Sequence, residues 1–533
     1  RALFCGPENL NPSLHPPCRR VGFTPNQPSI KGLNAFSILA QTAAGAEYDT
    51  FRLVSVLVLS IVLILVLILA FRVQAFVSLL LAAIFVGISS GTMELIEVGD
   101  TIKDGMGGAL GFIATIIGLG AIFGQMIEHS GGAQSLANGM LRTFGEKRAN
   151  WAMLLTGFLI SIPVFLDVGV VILAPIIYAL ARKSRKSVLV FALPLLAGMA
   201  VTHAFVPPTP GPTFVAFALQ VPLGYAILWG ILVGLPTAVI TIPICRWLGE
   251  KFHIDPPAAD GEPEEEGGTP STQLLSLPSV CTILAILGGP ILIIVVASFV
   301  EGSIADGVPE FLATEEGRTL TEGLDKKKSF DAALGSLKAN ASMTAQVILF
   351  LGHPIIALLI GTCAAIYVLG MRRGVRGNAL MEVATKALGP AGIIILVTGA
   401  GGVYKQMLIT TKVGDALADI LQESGLGPLL LAWTLTTIIR IAQGSATVAM
   451  VTGAALISPF LAAGEYSTSQ LALVTIAIAA GATGFGHVND SGFWIVNRYF
   501  HMTERETLLT WTPILTVISV VGLIFASLLW MVV

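Results

Sequence analysis

Apolar runs near the ~20 residues that a helix needs to cross a bilayer recur along this chain. VSVLVLSIVLILVLILAF begins near Val54, and AFVSLLLAAIFVGISS follows it. Together with a composition that is 54% hydrophobic and only 12% charged, these runs make the chain a polytopic integral membrane protein, all-α in class. A net charge of -3, from 30 basic and 33 acidic residues, gives no basic field for nucleic acid. No zinc or P-loop motif occurs, which weakens soluble-enzyme readings. Cys5, Cys18, Cys245, Cys281 and Cys363 are scattered, with no CxxC and no His at ligand spacing. The last three are expected to be apolar packing.

Residues 1–53 form an extension rich in Pro and Asn, without an apolar h-region or an initial Met. It is expected to be disordered, or to precede the true start, and is neither signal peptide nor span. A first transmembrane repeat is expected over 54–247 and a second over 279–533. Between them, 248–278 contains the acidic DPPAADGEPEEEGGTPSTQ and suits a flexible cytoplasmic linker. Three basic loops belong on the cytoplasmic side: Arg182, Lys183, Arg185 and Lys186; Arg246 and Lys251; Arg372, Arg373 and Arg376. GTMELIEVGD and the stretch 301–345 suit the outside as extracytoplasmic loops.

Two kinds of interruption break the apolar pattern. The segment 151–181 is too long for one comfortable span and has basic flanks at both ends, so it is expected to enter and leave on one face as a re-entrant hairpin. SIPVFLDVG supplies its tip, with Pro163 and Gly169 as helix breakers, and such a tip must be buried in protein or line a wet cavity. In THAFVPPTPGPT the prolines at 207–212 break the next span in its middle. GATGFGHVNDSGFW, at 481–494, places polar residues and glycines where a further span should run.

The second half repeats the first. At an offset of about 281, LGAIFGQMIEHSGGAQSLA (119–137) falls on AGGVYKQMLITTKVGDALA (400–418), pairing Gly120 with Gly401, Gln125 and Met126 with Gln406 and Met407, and Leu136 and Ala137 with Leu417 and Ala418. SIPVFLDVG then falls near RIAQGSATV, and THAFVPPTPGPT on TGFGHVNDSGFW. The acidic loop 92–106 corresponds to the basic loop 371–378, so equivalent loops face opposite sides. Two inverted-topology repeats, each with a re-entrant hairpin and a broken transmembrane helix, are an architecture of secondary transporters. Without a nucleotide-binding motif, the energy source is expected to be an ion gradient.

GMGGALGFIATIIGLGAIFGQMIEHSGGAQ, SIPVFLDVGVVILAPI, THAFVPPTPGPT, RIAQGSATVAMVTGAALISP and GHVNDSGFW resemble the gluconate permease family, the gluconate:proton symporters of bacterial inner membranes, over roughly 54–533. The resemblance implies a multi-pass inner-membrane protein that takes up gluconate or a related sugar acid with protons and without cofactors. It also implies a fold like that of the broader ion-transporter superfamily, whose members are typically homodimers.

A sugar acid presents one carboxylate and several hydroxyls. Arg440 is the one cation in the apolar run 428–460. Such a residue is costly in lipid and usually functional, and its fork matches a carboxylate. A structural pairing with Asp490 or Asp167 is the alternative. Gln443, Gly444, Ser445 and Thr447 adjoin it as candidate substrate contacts. Thr202, Thr209, Asn489 and Ser491 complete the candidate polar ring, with Asn489 and Ser491 as favoured hydroxyl contacts. Asp167 lies among Phe165, Leu166 and Val168, an apolar setting that suits a proton carrier, against the alternative of a helix cap. Asp490, His203 and His487 are further candidates for proton coupling. GMGGALG is expected to let helices approach closely, and Lys405 to snorkel toward headgroups.

Rival classes remain at this level. A membrane hydrolase could combine His487 and Asp490 with Ser491 or Ser445, but no GxSxG or HExxH accompanies them. A passive channel would lack gradient-driven accumulation. Within transporters, the second choice is a symporter of the same fold for another small carboxylate or a D-amino acid such as D-serine.

Overall fold

The first apolar runs become α1 (Thr50–Leu69) and α2 (Ala75–Ser90) in the computed structural model, which describes residues 50–257, 277–324, 326–375, 377–413, 427–464 and 466–533. Among these residues every regular element is helical, and eight helices are long and apolar enough to cross a membrane. The chain is a multi-pass, all-helical membrane protein. Most of the N-terminal extension (1–49), the acidic heart of the linker (258–276), Arg376, Leu417 and Ala418 lie outside the described residues.

After α2 the chain forms a long α3 (Leu95–His129), a short α4 (Gly132–Phe144) and the pair α5 (Ala149–Ile160) and α6 (Leu166–Ser184). An interrupted helix follows, α7 (Leu189–Phe205) and α8 (Pro210–Ala218), and then the long α9 (Leu223–Lys251). Next come α10 (Val280–Ala305), α11 (Val308–Ala313), α12 (Glu315–Leu320), α13 (Lys326–Ala339), α14 (Met343–Leu351) and α15 (Pro354–Ala365). The earlier succession of element types then recurs. The long α16 (Asn378–Thr410) is followed by the pair α17 (Pro428–Gln443) and α18 (Ala446–Ala463), the interrupted helix α19 (Thr468–Thr483) and α20 (Ser491–Tyr499), and the long α21 (Glu504–Trp530).

The stretch 301–345, expected as a loop, is largely helical. Thr314 and Ser342 start α12 and α14 there by accepting hydrogen bonds from the backbone N–H groups of Gly317 and Ala345. The interruptions are also narrower than expected. Between α5 and α6 only residues 161–165 leave the helix, and Gly169, expected to be a breaker, lies inside α6. Its missing side chain makes room instead, because a Cβ there would collide with Cε of Met199. Pro210 and Pro212 also belong to a helix, in the first turn of α8. A first-turn proline forfeits no intrahelical hydrogen bond, so only Val206–Thr209 is irregular.

The first arms of the two interrupted helices, α7 and α19, are deeply enclosed, whereas α20 buries only Phe493 and Val496. α7 packs against α5 and α9, and α19 against α17 and α21. Both α7 and the stretch Ala472–Thr483 of α19 are apolar and buried nearly all round, as expected for helices shielded from the surroundings on every face. In lipid, helices associate mainly through van der Waals packing and small residues, and α3 meets α16 in this way. A Cβ at Gly105 would lie 2.7 Å from Cα of Val403 and 3.0 Å from the carbonyl oxygen of Gly402. The GMGGALG expectation is met at Gly105 and Ala109, the latter facing Gly402. Gly107, Gly108 and Gly111 have open space instead.

Candidate functional site

The first turns of three helices meet at one cavity of about 290 Å³. Phe165, Leu166 and Asp167 come from the start of α6, Ser445–Val448 from the start of α18, and Asp490–Gly492 from the start of α20. Ala200, His203 and Ala204 of α7, Ile393, Ile394 and Val397 of α16, and Trp511 and Leu515 of α21 close the remaining sides. Helix N-termini carry unsatisfied N–H groups and the positive end of the helix dipole. Their convergence beside an arginine favours an anion.

Arg440 supplies that charge from the last turn of α17 and is 2% exposed. Its Nη2 donates to Oδ2 of Asp490 at 2.6 Å, while Oδ1 of the same carboxylate accepts from the backbone N–H of Gly492 at 3.1 Å and caps α20. The pairing with Asp490 considered from the sequence is therefore present. It leaves Arg440 Nε and Nη1 without a protein partner. Nη2 carries one hydrogen into each double-donor edge of the guanidinium, so the single bond to Asp490 engages one edge and pairs the charge, while donors remain for a ligand.

The junction between α17 and α18 holds Arg440 in place. Gly444 adopts φ +83° at the end of α17, a left-handed conformation that suits glycine. The backbone of Asn489 packs against it where a Cβ would otherwise stand. Nδ2 of Asn489 donates to the carbonyl of Ile441 at 3.0 Å, and Nε2 of His487 lies 3.1 Å from the same oxygen. These two side chains fasten the α19–α20 interruption to the end of α17.

Of the residues singled out from sequence, Arg440, Ser445, Thr447, Asp490, Ser491, Asp167 and His203 line the cavity. Gln443, Gly444, Asn489, His487, Thr202 and Thr209 do not. Thr209 lies in the first interruption, where its hydroxyl is 2.9 Å from the carbonyl of His203 and 2.8 Å from that of Val206. Thr202 is buried with its hydroxyl unpartnered. Asp167 is exposed in the first turn of α6 and lines the cavity together with its apolar neighbours Phe165 and Leu166. Lys405 also differs from expectation. It turns inward, with Nζ 2.6 Å from the carbonyl of Ala218 at the end of α8 and over the ring of Phe217.

Sequence reasoning missed Trp511. It sits in an ordinary apolar span, LLTWTPILTV, and no local motif marks it. A search for polar side chains passes over an indole, although its N–H is a donor.

A family profile described as GntP family permease matches residues 52–315 and 329–533. The chain is 35% identical over 485 residues to a gluconate permease of Pseudomonas aeruginosa, spanning 91% of this chain and 99% of that protein. It is 32% identical over 460 residues to the Gnt-II system L-idonate transporter of Escherichia coli, spanning 86% and 94% respectively. Among solved structures, the YdaH transporter of Alcanivorax borkumensis is similar in fold, with a TM-score of 0.53 at 14% identity over 82% of this chain and 89% of that one.

Proposed function

The chain belongs to the GntP permease family, and from that premise we propose that it imports gluconate or a closely related sugar acid by proton symport across a bacterial inner membrane. The observation that carries the proposal is the cavity at which three helix N-termini surround the Arg440–Asp490 pair. An L-idonate transporter among the relatives favours a second reading within the same class, in which the substrate is another sugar acid.

The proposal includes two inverted repeats, 54–247 and 279–533, separated by the linker 248–278. The recurring order of long helix, helix pair, interrupted helix and long helix supports repetition. The opposite charge of 92–106, expected as a loop but mostly the first turns of α3, and of 371–378 supports inversion. In this reading α5–α6 and α17–α18 are re-entrant hairpins, and α7–α8 and α19–α20 are broken spans. A homodimer, implied by the resemblance, belongs to the same proposal.

Coupling follows from competition between two carboxylates for one guanidinium charge. With Asp490 ionised, its carboxylate neutralises Arg440 through Nη2, and an incoming carboxylate meets a charge that is already paired. Protonation of Asp490 weakens that charge-assisted bond and leaves the positive charge of Arg440 uncompensated, so the substrate carboxylate can then pair with it. Substrate and proton thus favour each other's binding, as linkage requires. Asp167 is a second carboxylate on the cavity wall and the other candidate carrier. Ser445, Thr447 and Ser491 offer hydroxyls to the polyol.

Asp490→Asn tests this mechanism while keeping a side chain able to cap α20. In proteoliposomes the variant should exchange labelled gluconate across the membrane but fail to accumulate it when an inward proton gradient is imposed. Accumulation equal to wild type would remove Asp490 from the coupling step.

A further inference from the structure

Trp511 is 1% exposed and is one of the largest fully buried side chains among the described residues. It faces the same cavity as Arg440, His203 and Asp490. Its indole Nε1 has no hydrogen-bond partner. Two other tryptophans show what the fold ordinarily provides: Trp433 Nε1 donates to Ser519 Oγ at 2.9 Å, and Trp494 Nε1 donates to the Val488 carbonyl at 2.8 Å. A buried indole N–H generally finds a partner, and leaving one unpaired forfeits its hydration without a replacement bond. Arg440 Nε and Nη1 and His203 Nδ1 are unpartnered around the same cavity. Thr202, Gln443 and Thr452 also carry an unpartnered buried atom, but four of the seven such side-chain atoms among the described residues belong to residues that line this cavity.

We propose that Trp511 is a substrate-positioning residue whose Nε1–H donates to a hydroxyl oxygen of the bound polyhydroxy acid. The inference rests on the sugar-acid reading above and adds a division of labour. Arg440 answers the carboxylate, which any small acid possesses, whereas Trp511 answers a hydroxyl, which a simple carboxylate lacks. A site built to hydrogen-bond a hydroxyl discriminates against an analogue without it, because the protein's own donor is then stranded. Trp511 is well placed for this role: the neighbouring Thr512 donates to the carbonyl of Gly486 at 2.5 Å and ties this part of α21 to the interruption that carries Asp490.

Trp511→Phe keeps an aromatic ring and removes the donor. Binding of gluconate and of each of its monodeoxy analogues to the purified full-length protein would be measured by titration calorimetry, for wild type and variant. The expected result is about tenfold weaker gluconate binding by the variant, together with one monodeoxy analogue that both proteins bind equally. The melting temperature of ligand-free W511F should be no lower than that of wild type, since no bond is lost in the empty site. Unchanged gluconate affinity in the variant overturns the assignment. A uniform loss across gluconate and every deoxy analogue also overturns it, because the ring would then only pack. Failure of the wild-type protein to bind any polyhydroxy acid would instead overturn the sugar-acid reading itself, and this inference with it.

Discussion

The two interrupted helices solve the same problem with different chemistry. In the first, Val206–Thr209 is wholly buried, and the freed carbonyls of His203 and Val206 are met from within by the hydroxyl of Thr209. In the second, the interruption between α19 and α20 is partly exposed, and its bonds reach outward: Asn489 and His487 to the carbonyl of Ile441, Asp490 to Arg440, and the carbonyl of Gly486 to Thr512. Proline fixes backbone conformation at no cost in side-chain bonding, so the first interruption is closed on itself. A glycine-rich interruption is conformationally loose and must be tied to its neighbours. The difference teaches where adaptable chemistry can reside: bonds between elements can be exchanged for bonds to a ligand, whereas bonds within one turn cannot be exchanged without remodelling it.

The most severe test of this contrast is Arg440→Lys. Lysine retains the charge but loses the planar set of nitrogens, and gluconate affinity should fall by about 100-fold, the upper range for lost hydrogen bonds to a charged group. Calorimetric affinity within threefold of wild type would mean that the second interruption holds no special anion contact. A smaller effect is expected for Asn489→Ala, which uncouples the interruption from α17. Stability should drop by about 1–2 kcal/mol, seen as a lower melting temperature in detergent, with weaker gluconate binding because Arg440 loses its fixed position. The smallest is Thr209→Val, at about 1 kcal/mol of stability with gluconate affinity unchanged. If Thr209→Val weakened binding as much as Asn489→Ala, the distinction between a closed and a tied interruption would collapse.

Much of the architecture was legible in the sequence because membrane folding imposes strict local rules. Uninterrupted apolar runs gave α1 and α2 nearly residue for residue, and prolines marked the first interruption. The limits of each interruption were less legible. A proline's effect depends on whether it falls before a helix or in its first turn, and Pro207 and Pro210 differ in that respect only once α8 exists. Gly169 is a similar case: the sequence signals missing bulk, but only the packing of α6 on α7 shows that the space is needed for Met199.

The candidate site was legible where charge stands out against an apolar background, as with Arg440 and Asp490. It was obscure where the relevant fact is a missing partner. Trp511 and Trp433 are indistinguishable as letters, yet one indole is satisfied and the other is not. Asn489 and His487 lie in the most conspicuous polar motif of the chain. Their side chains nonetheless reach the end of α17 rather than the cavity, an outcome decided by tertiary position.

The Arg440–Asp490 contact also has an electrical consequence. As an ion pair it carries no net charge. If one proton neutralises Asp490 while one carboxylate binds Arg440, the loaded pair again sums to zero. An elementary charge crossing a membrane exchanges about 2.3 kcal/mol per 100 mV, and neither the empty nor the loaded pair would contribute to that exchange. With a stoichiometry of one, uptake would then be driven by the pH difference and would ignore the membrane voltage.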